Sequence, residues 1–401
     1  MTGGHQHHDR RFLETEELQN VDAGPLRFLL WCWAHRGLYT WFQCILIFKT
    51  IPPSCSLGQR KMNRSAKYMY IIGGCALAAE REPVQLIERI RVENVDISSD
   101  RIKIISENCG QLSIARRSPS CFLLEKNGED SLKILVAGGC TAPNKHTNTM
   151  EVLNISNIST AENVQKLEVK SDLLEKTLGI GASCSGFDVE TKTPQKPIFG
   201  GFEAHSCLDD VQVVDTDTAS WQCRKLPKNL LPKIKNSTII EVANGDFLMF
   251  GGWEDESRTT KAIRRICFNE DFSDYTVDFV GFLPYPVEGH SCVLIGSSVF
   301  LIGGFDGCFV IDTIIKYDLL TRKSEVLKNT KLHIKRENHV SCVLGGKYVV
   351  VAGGWNSRES LDNVEVFEIR KRSENGEIEL VQCQVDGKMC TARNRPSAFC
   401  Y

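Results

Sequence analysis

The chain has 401 residues, 42% of them hydrophobic, enough apolar material to bury a large core. Its 48 basic and 50 acidic side chains nearly cancel, which excludes a global field that would recruit nucleic acid or an anionic membrane. Seventeen cysteines make an odd total without any CxxC pair, so neither a secreted disulfide framework nor a zinc module is indicated, and a reducing cytoplasm is the expected setting.

Residues 1–62 read as an N-terminal extension. The opening stretch, MTGGHQHHDRRFLETEELQN, lacks the basic-then-apolar start of a signal peptide, and His7 and His8 within it read as a solvated terminus, not as metal ligands. Residues Leu26 to Ile51 are apolar and long enough to span a bilayer as a helix. His35, Arg36 and Gly37 interrupt their middle, where charge is expensive, so membrane association by residues 26–51 is disfavoured against an amphipathic docking segment or a poorly ordered extension.

From residue 63 the chain repeats. Gly73/Gly74, Gly138/Gly139, Gly200/Gly201, Gly251/Gly252, Gly303/Gly304 and Gly353/Gly354 each follow a short apolar run, and successive pairs stand 65, 62, 51, 52 and 50 residues apart. That period belongs with propeller repeats of about 50 residues, not with helical solenoids. The clearest copy, Glu288 to Val326, predicts four strands: A in HSCVLI, a tight turn at Gly296 and Ser297, B in VFLIGG, C in DTIIKYD and a weak D after LLTRK. Fourteen residues after the first glycine stand Ile87, Val214, Tyr317 and Phe367, with Leu153 and Ile266 one position later; six residues separate Val214 from Trp221.

This pattern resembles the kelch repeat, in which a strand ending in Gly-Gly is followed by a Tyr, six residues and a Trp. The glycine pairs match in all six copies, whereas the aromatic positions depart at Val214 and Ser324. The resemblance implies an all-β, six-bladed propeller over residues 63–401. The first copy lacks a strand A, and Ala392 to Tyr401, ARNRPSAFCY, is similar to strand A of the second copy, ARRSPSCFLL, so the C-terminal strand is expected to close the ring. The centre of strand A holds Cys121, Cys184, Ile240, Cys292, Cys342 and Ala398, which reads as a compact hydrophobic position.

No catalytic constellation emerges. His290 and His339 recur near the start of strand A in adjacent copies, so they read as repeat positions and not as a Cys/His pair. GxxxxGK and HExxH are absent, GIGASCSG at Gly179 to Gly186 opens a strand segment, and the acidic run at Glu254 to Glu256 reads as a loop. The expectation is a noncatalytic protein-interaction scaffold with no cofactor and no bound metal. In the kelch family such propellers often recognise substrates for cullin-type ubiquitin ligases or bind actin. Residues 1–62 are too short for a BTB domain, so a ligase role calls for a separate partner or a longer isoform. A metal-dependent oxidase and a membrane-tethered scaffold are the rival readings.

The expected topology puts the loop after each glycine pair beside the residues that open strand A. Phe202, Trp253, Phe305 and Trp355 directly follow glycine pairs on this rim. Copies six, one and two supply Arg336, Arg358, Arg393, Arg395, Arg116 and Arg117; copies three to five supply Glu203, Glu254, Asp255, Glu288 and Asp306, with Lys235 as an exception. The expected partner is therefore a protein or peptide whose acidic or phosphorylated stretch lies over exposed arginines.

Overall fold

The computed structural model describes residues 66–76, 82–94, 101–127, 131–143, 145–156, 164–167, 194–203, 205–216, 222–229, 231–255, 258–372 and 376–401. The chain divides into two compact units, Met1–Ser56 and Leu57–Tyr401, and every described residue belongs to the second. The proposed extension, its segment Leu26 to Ile51, Trp221 and Cys184 lie outside the described residues.

Among the described residues all regular structure is β. Blade five shows how the sequence builds each unit. Strand A (Ser291–Ile295) and strand B (Ser298–Phe305) meet at a two-residue turn, with Ile295 paired to Ser298 and Gly296 at φ 62°, the left-handed geometry such hairpins demand. Strand C (Val310–Asp318) pairs with B, and strand D (Ser324–Lys331) forms the outer edge. Strand D, read as weak in the sequence, forms eight residues here.

The same A–B–C–D order recurs in blade two (Ser120–Asn127, Ser131–Ala137, Met150–Ser156, Val164–Leu167), blade four (Thr238–Ala243, Asp246–Phe250, Ala262–Phe268, Tyr275–Phe282) and blade six (Val340–Leu344, Tyr348–Ala352, Val364–Lys371, Ile378–Gln382). Blade three contributes strands B, C and D (Gln195–Glu203, Ser206–Asp215, Gln222–Lys225). Blade one takes B, C and D from the N-terminal side (Met69–Ile72, Leu86–Asn94, Arg101–Gln111), and its strand A is the C-terminal Ser397–Cys400, paired from Met69↔Cys400 to Ile72↔Ser397. Gln384–Asp386 adds in parallel to strand D of blade one, a covering of that edge that the sequence reading did not anticipate.

The strand runs are apolar without alternation because each sheet is sandwiched between two neighbours. In MYII of blade one, Met69 and Ile71 pack with Cys342, Val350 and Val366 of blade six, whereas Tyr70 and Ile72 pack with Cys121, Leu132 and Ile134 of blade two. Four further clusters fill the spaces between blades two and three, three and four, four and five, and five and six. The described strand-A centres Cys121, Ile240, Cys292, Cys342 and Ala398 are all buried, as compact hydrophobes should be.

The paired glycines are what lets the blades meet. At Gly303 and Gly304 the backbone is left-handed, with φ of 57° and 107°. A Cβ on Gly303 would stand 2.6 Å from the Arg336 carbonyl oxygen of the next blade, and that oxygen accepts the Gly304 N–H at 2.8 Å. The same bond joins Gly74 to Arg116, Gly252 to Val287 and Gly354 to Arg393.

Deleting residues 392–401 removes strand A of blade one and strips a hydrogen-bonded partner from Met69–Ile72. We expect differential scanning calorimetry to show the truncated chain melting at least ~10 °C below the intact one, or failing to fold. An unchanged melting temperature would mean that the C-terminal strand does not complete the blade.

Candidate functional site

Each described strand A is entered through one residue in the left-handed region: Ser118 (φ 51°), Asn236 (φ 55°), Gly289 (φ 60°), Asn338 (φ 52°) and Arg395 (φ 54°). These residues form a chain of backbone bonds around the axis. The Gly289 N–H donates to Asn236 O at 2.9 Å, Asn338 N–H to Gly289 O at 2.6 Å, Arg395 N–H to Asn338 O at 2.8 Å, and Ser118 N–H to Arg395 O at 2.8 Å. The chain thus passes from the last blade to the second through the C-terminal segment.

The residue just before each of these pairs with the residue after a glycine pair: Arg117 with Cys140, Lys235 with Trp253, Glu288 with Phe305, Glu337 with Trp355, and Asn394 with Cys75. The rim juxtaposition read from the sequence is therefore present. Phe202, Trp253, Phe305 and Trp355 are all half-buried there. Phe202 and Trp253 clasp the Lys235 ammonium, 4.1 and 4.4 Å from the two ring centroids, and His146 meets the edge of Phe202.

The exposed-arginine expectation needs correction. Arg116, Arg336 and Arg393 are 1%, 0% and 0% exposed, and each is an internal clamp. Arg336 Nη1 donates to the Gly353 carbonyl at 2.8 Å and to Asn363 O at 3.1 Å, while Nη2 meets Glu365 Oε1 at 2.7 Å. Arg116 does the same with Gly138, Thr149 and Glu151, and Arg393 with Gly73, Leu86 and Glu88. In blades four and five the matching positions are Ile234 and Val287, both buried. Arg117 is also buried, its Nη2 3.6 Å from Cys140 Sγ. Arg395 is half-buried and Arg358 exposed. On the acidic side Glu288 is tied to Asn236 and Thr259, Glu254 pairs with Arg264, and Asp255 accepts the Cys207 N–H.

At the axis lies a recess of about 40 Å³ lined in part by Asn236, Ser237, His290, His339 and Arg395. It admits a water-sized guest and is far below the roughly 300–1,000 Å³ of small-molecule sites. Burial holds the Arg395 guanidinium below its usual range against the attraction of Glu337, and burial raises the Glu337 carboxyl despite Arg395. His290 is pushed down to about 3 by burial, and His339 well below the usual range by burial, Arg336 and His290; His339 Nε2 lies 2.8 Å from Ser291 Oγ. Both histidines sit against the first glycine of the preceding blade, Gly251 and Gly303, as repeat positions would. Among the described residues no group of three or more His, Cys, Asp or Glu is placed to hold a metal ion.

The sequence reading missed Phe309. In the B–C loop of blade five, Asp306 Oδ1 accepts the Cys308 and Phe309 N–H groups at 2.8 and 2.7 Å, a turn that leaves Phe309 69% exposed. Blade six repeats the turn, Asn356 Oδ1 accepting the Arg358 and Glu359 N–H groups at 2.9 Å each, so Arg358 sits at a fixed loop tip. The signal available was the shared spacing of FDGCF and WNSRE after the two glycine pairs.

The family model described as the KLHDC2/KLHL20/DRC7 Kelch-repeats domain matches residues 197–401. The chain belongs to the kelch-repeat family. Among curated proteins it is similar to the Rho GTPase-activating protein gacHH of Dictyostelium discoideum, 25% identical over 143 residues, which are 35% of this chain and 9% of that protein. Among solved structures it is similar to YjhT, with a TM-score of 0.54 and 10% identity over 79% of this chain and 98% of that one, a likeness of fold.

Two outcomes follow for these kelch blades. Arg336→Ala or Arg393→Ala, by stranding a buried glutamate, should destabilise the fold by about 3–5 kcal/mol in urea denaturation, while Arg358→Ala should change it by less than about 0.5 kcal/mol. His290 has a folded pKa below its unfolded one, so its contribution is complete above about pH 6.5 and is lost as pH falls toward about 3. A folded His290→Gln variant should therefore lose stability between pH 6.5 and 4.5 less steeply than the native chain, by up to about 1.4 kcal/mol per pH unit.

Proposed function

We propose that this kelch propeller is a noncatalytic scaffold that binds a protein or peptide segment on the face carrying the strand-A entries and the B–C loops. The observation that carries this reading is the pair of matching Asx turns that hold Phe309 and Arg358 at fixed, exposed positions above half-buried Phe305 and Trp355. An aromatic anchor and an arginine on a rigid frame are the groups that dominate interface energies. With Arg116, Arg336 and Arg393 withdrawn into the blades, the basic contact narrows to Arg358 and the partly accessible Arg395. A partner segment with one acidic or phosphorylated residue beside an apolar anchor suits that arrangement better than a long acidic tract.

The finer reading, substrate recognition for a ubiquitin ligase in the cytoplasm, draws on the kelch family resemblance.

The test uses the full chain as bait in a cell lysate, beside a Phe309→Ala/Arg358→Glu variant. We expect the variant to lose the specifically captured protein at least tenfold while its melting temperature stays within about 2 °C, because both side chains are exposed. Retained capture by the folded variant would place binding on another surface. Cullin subunits in the native capture would support the ligase reading, and stoichiometric copper or iron in the purified protein would support an oxidase instead.

A further inference from the structure

Cys342, buried at the centre of strand A in blade six, shares one cluster with Cys383 and Cys400. It lies in Val340–Leu344 of blade six, fully buried, and packs in the cluster shared by blades six and one. Cys400 ends the closing strand Ser397–Cys400, half-buried, and packs against the same cluster. The two strands are adjacent, and both cysteines pack into the seam between blades six and one, Cys342 from the blade-six side and Cys400 from the blade-one side. At the equivalent position of blade two, Cys121 has the Ser397 hydroxyl as its neighbour instead.

We propose that Cys342 and Cys400 form a reversible disulfide that fastens the C-terminal closing strand of blade one to the inner strand of blade six. Of the two, Cys400 has access to solvent and Cys342 has none, so Cys400 meets the oxidant first. With a peroxide, the Cys400 thiolate attacks one oxygen: an S–O bond forms, the O–O bond breaks, and water leaves after protonation, giving the sulfenic acid. Cys342 Sγ then attacks the Cys400 sulfur; the S–S bond forms, the S–O bond breaks, and the departing hydroxide takes the Cys342 proton as a second water. Two thiols lose two electrons to one peroxide. A dithiol reductant reverses the process by exchange. The neighbouring Cys400 sulfur and burial hold the Cys342 thiol well above its usual range, so only a small thiolate fraction resolves the sulfenic acid and the second step quickens with rising pH. The site matters because this strand completes blade one from the chain's end, beside the Arg393 clamp and the Asn394–Cys75 bridge: oxidation would set how often that seam opens.

The full native chain is treated with hydrogen peroxide, quenched in an alkylating agent and digested with trypsin. The expected major product at Cys400 is the peptide 337–347 linked to the peptide 394–401, reversed by dithiothreitol and absent in Cys400→Ser. Amide exchange in Ser397–Cys400 should slow at least tenfold on oxidation. Cys342→Ala provides the second variant, in which Cys400 should proceed to sulfinic acid. The proposal is overturned if native Cys400 remains a free thiol, becomes sulfinic acid, or joins another cysteine while Cys342 is still alkylated on unfolding.

Discussion

One backbone bond sets the spacing of the ring: the second glycine of a pair donates its N–H to a carbonyl at the entry to the next blade. The first glycine makes room, because that carbonyl occupies the place of its missing Cβ. From blade five to blade two, three of the accepting carbonyls belong to Arg336, Arg393 and Arg116, whose side chains reach forward to the first glycine carbonyl of their own blades. Gly304, Arg336, Gly353 and Gly354, Arg393, Gly73 and Gly74, Arg116 and Gly138 therefore form one continuous relay. Each member is fixed by the blade before it and fixes the blade after it.

The relay explains the uneven distribution of arginine. Three consecutive blades use an Arg–Glu clamp at the position where blades four and five use Ile234 and Val287. A buried guanidinium is tolerable when its charge is paired and most of its donors are met, and here two carbonyls and a carboxylate meet the Nη groups of each one. The carboxylates in turn accept backbone N–H groups of the D–A loops, Ser113 for Glu151 and His333 for Glu365. The clamp thus ties strand C and the connecting loop to the axis, which stiffens the loops on the face where binding is proposed.

That face combines a rigid inner ring with loops of different chemistry. Lys235 is held between Phe202 and Trp253, so these rings are committed to an internal contact, whereas Phe309 and Arg358 project from turns that are internally hydrogen-bonded. Loops braced in this way bind with little loss of conformational freedom, which is the condition under which a few exposed side chains suffice for recognition.

The amino-acid sequence by itself determined the blades. Period-two and continuous apolar runs, the tight turn at Gly296 and Ser297, and six glycine pairs in phase are local signals, and each corresponds to geometry that a few adjacent residues dictate. Even the closing strand was legible, since ARNRPSAFCY carries the pattern of a strand A that the first copy lacks. Only the tertiary structure decided where the arginines point. Arg393 finds Glu88 across 305 residues of sequence, and the pairing that turns it inward depends on ring closure and not on its neighbours in the chain. The covering of the blade-one edge by Gln384–Asp386, the clasp on Lys235 and the exposure of Phe309 are of the same kind. Strand formation is a property of local backbone preference, whereas burial of a charged or aromatic side chain is settled by what the rest of the molecule brings within a few ångströms of it.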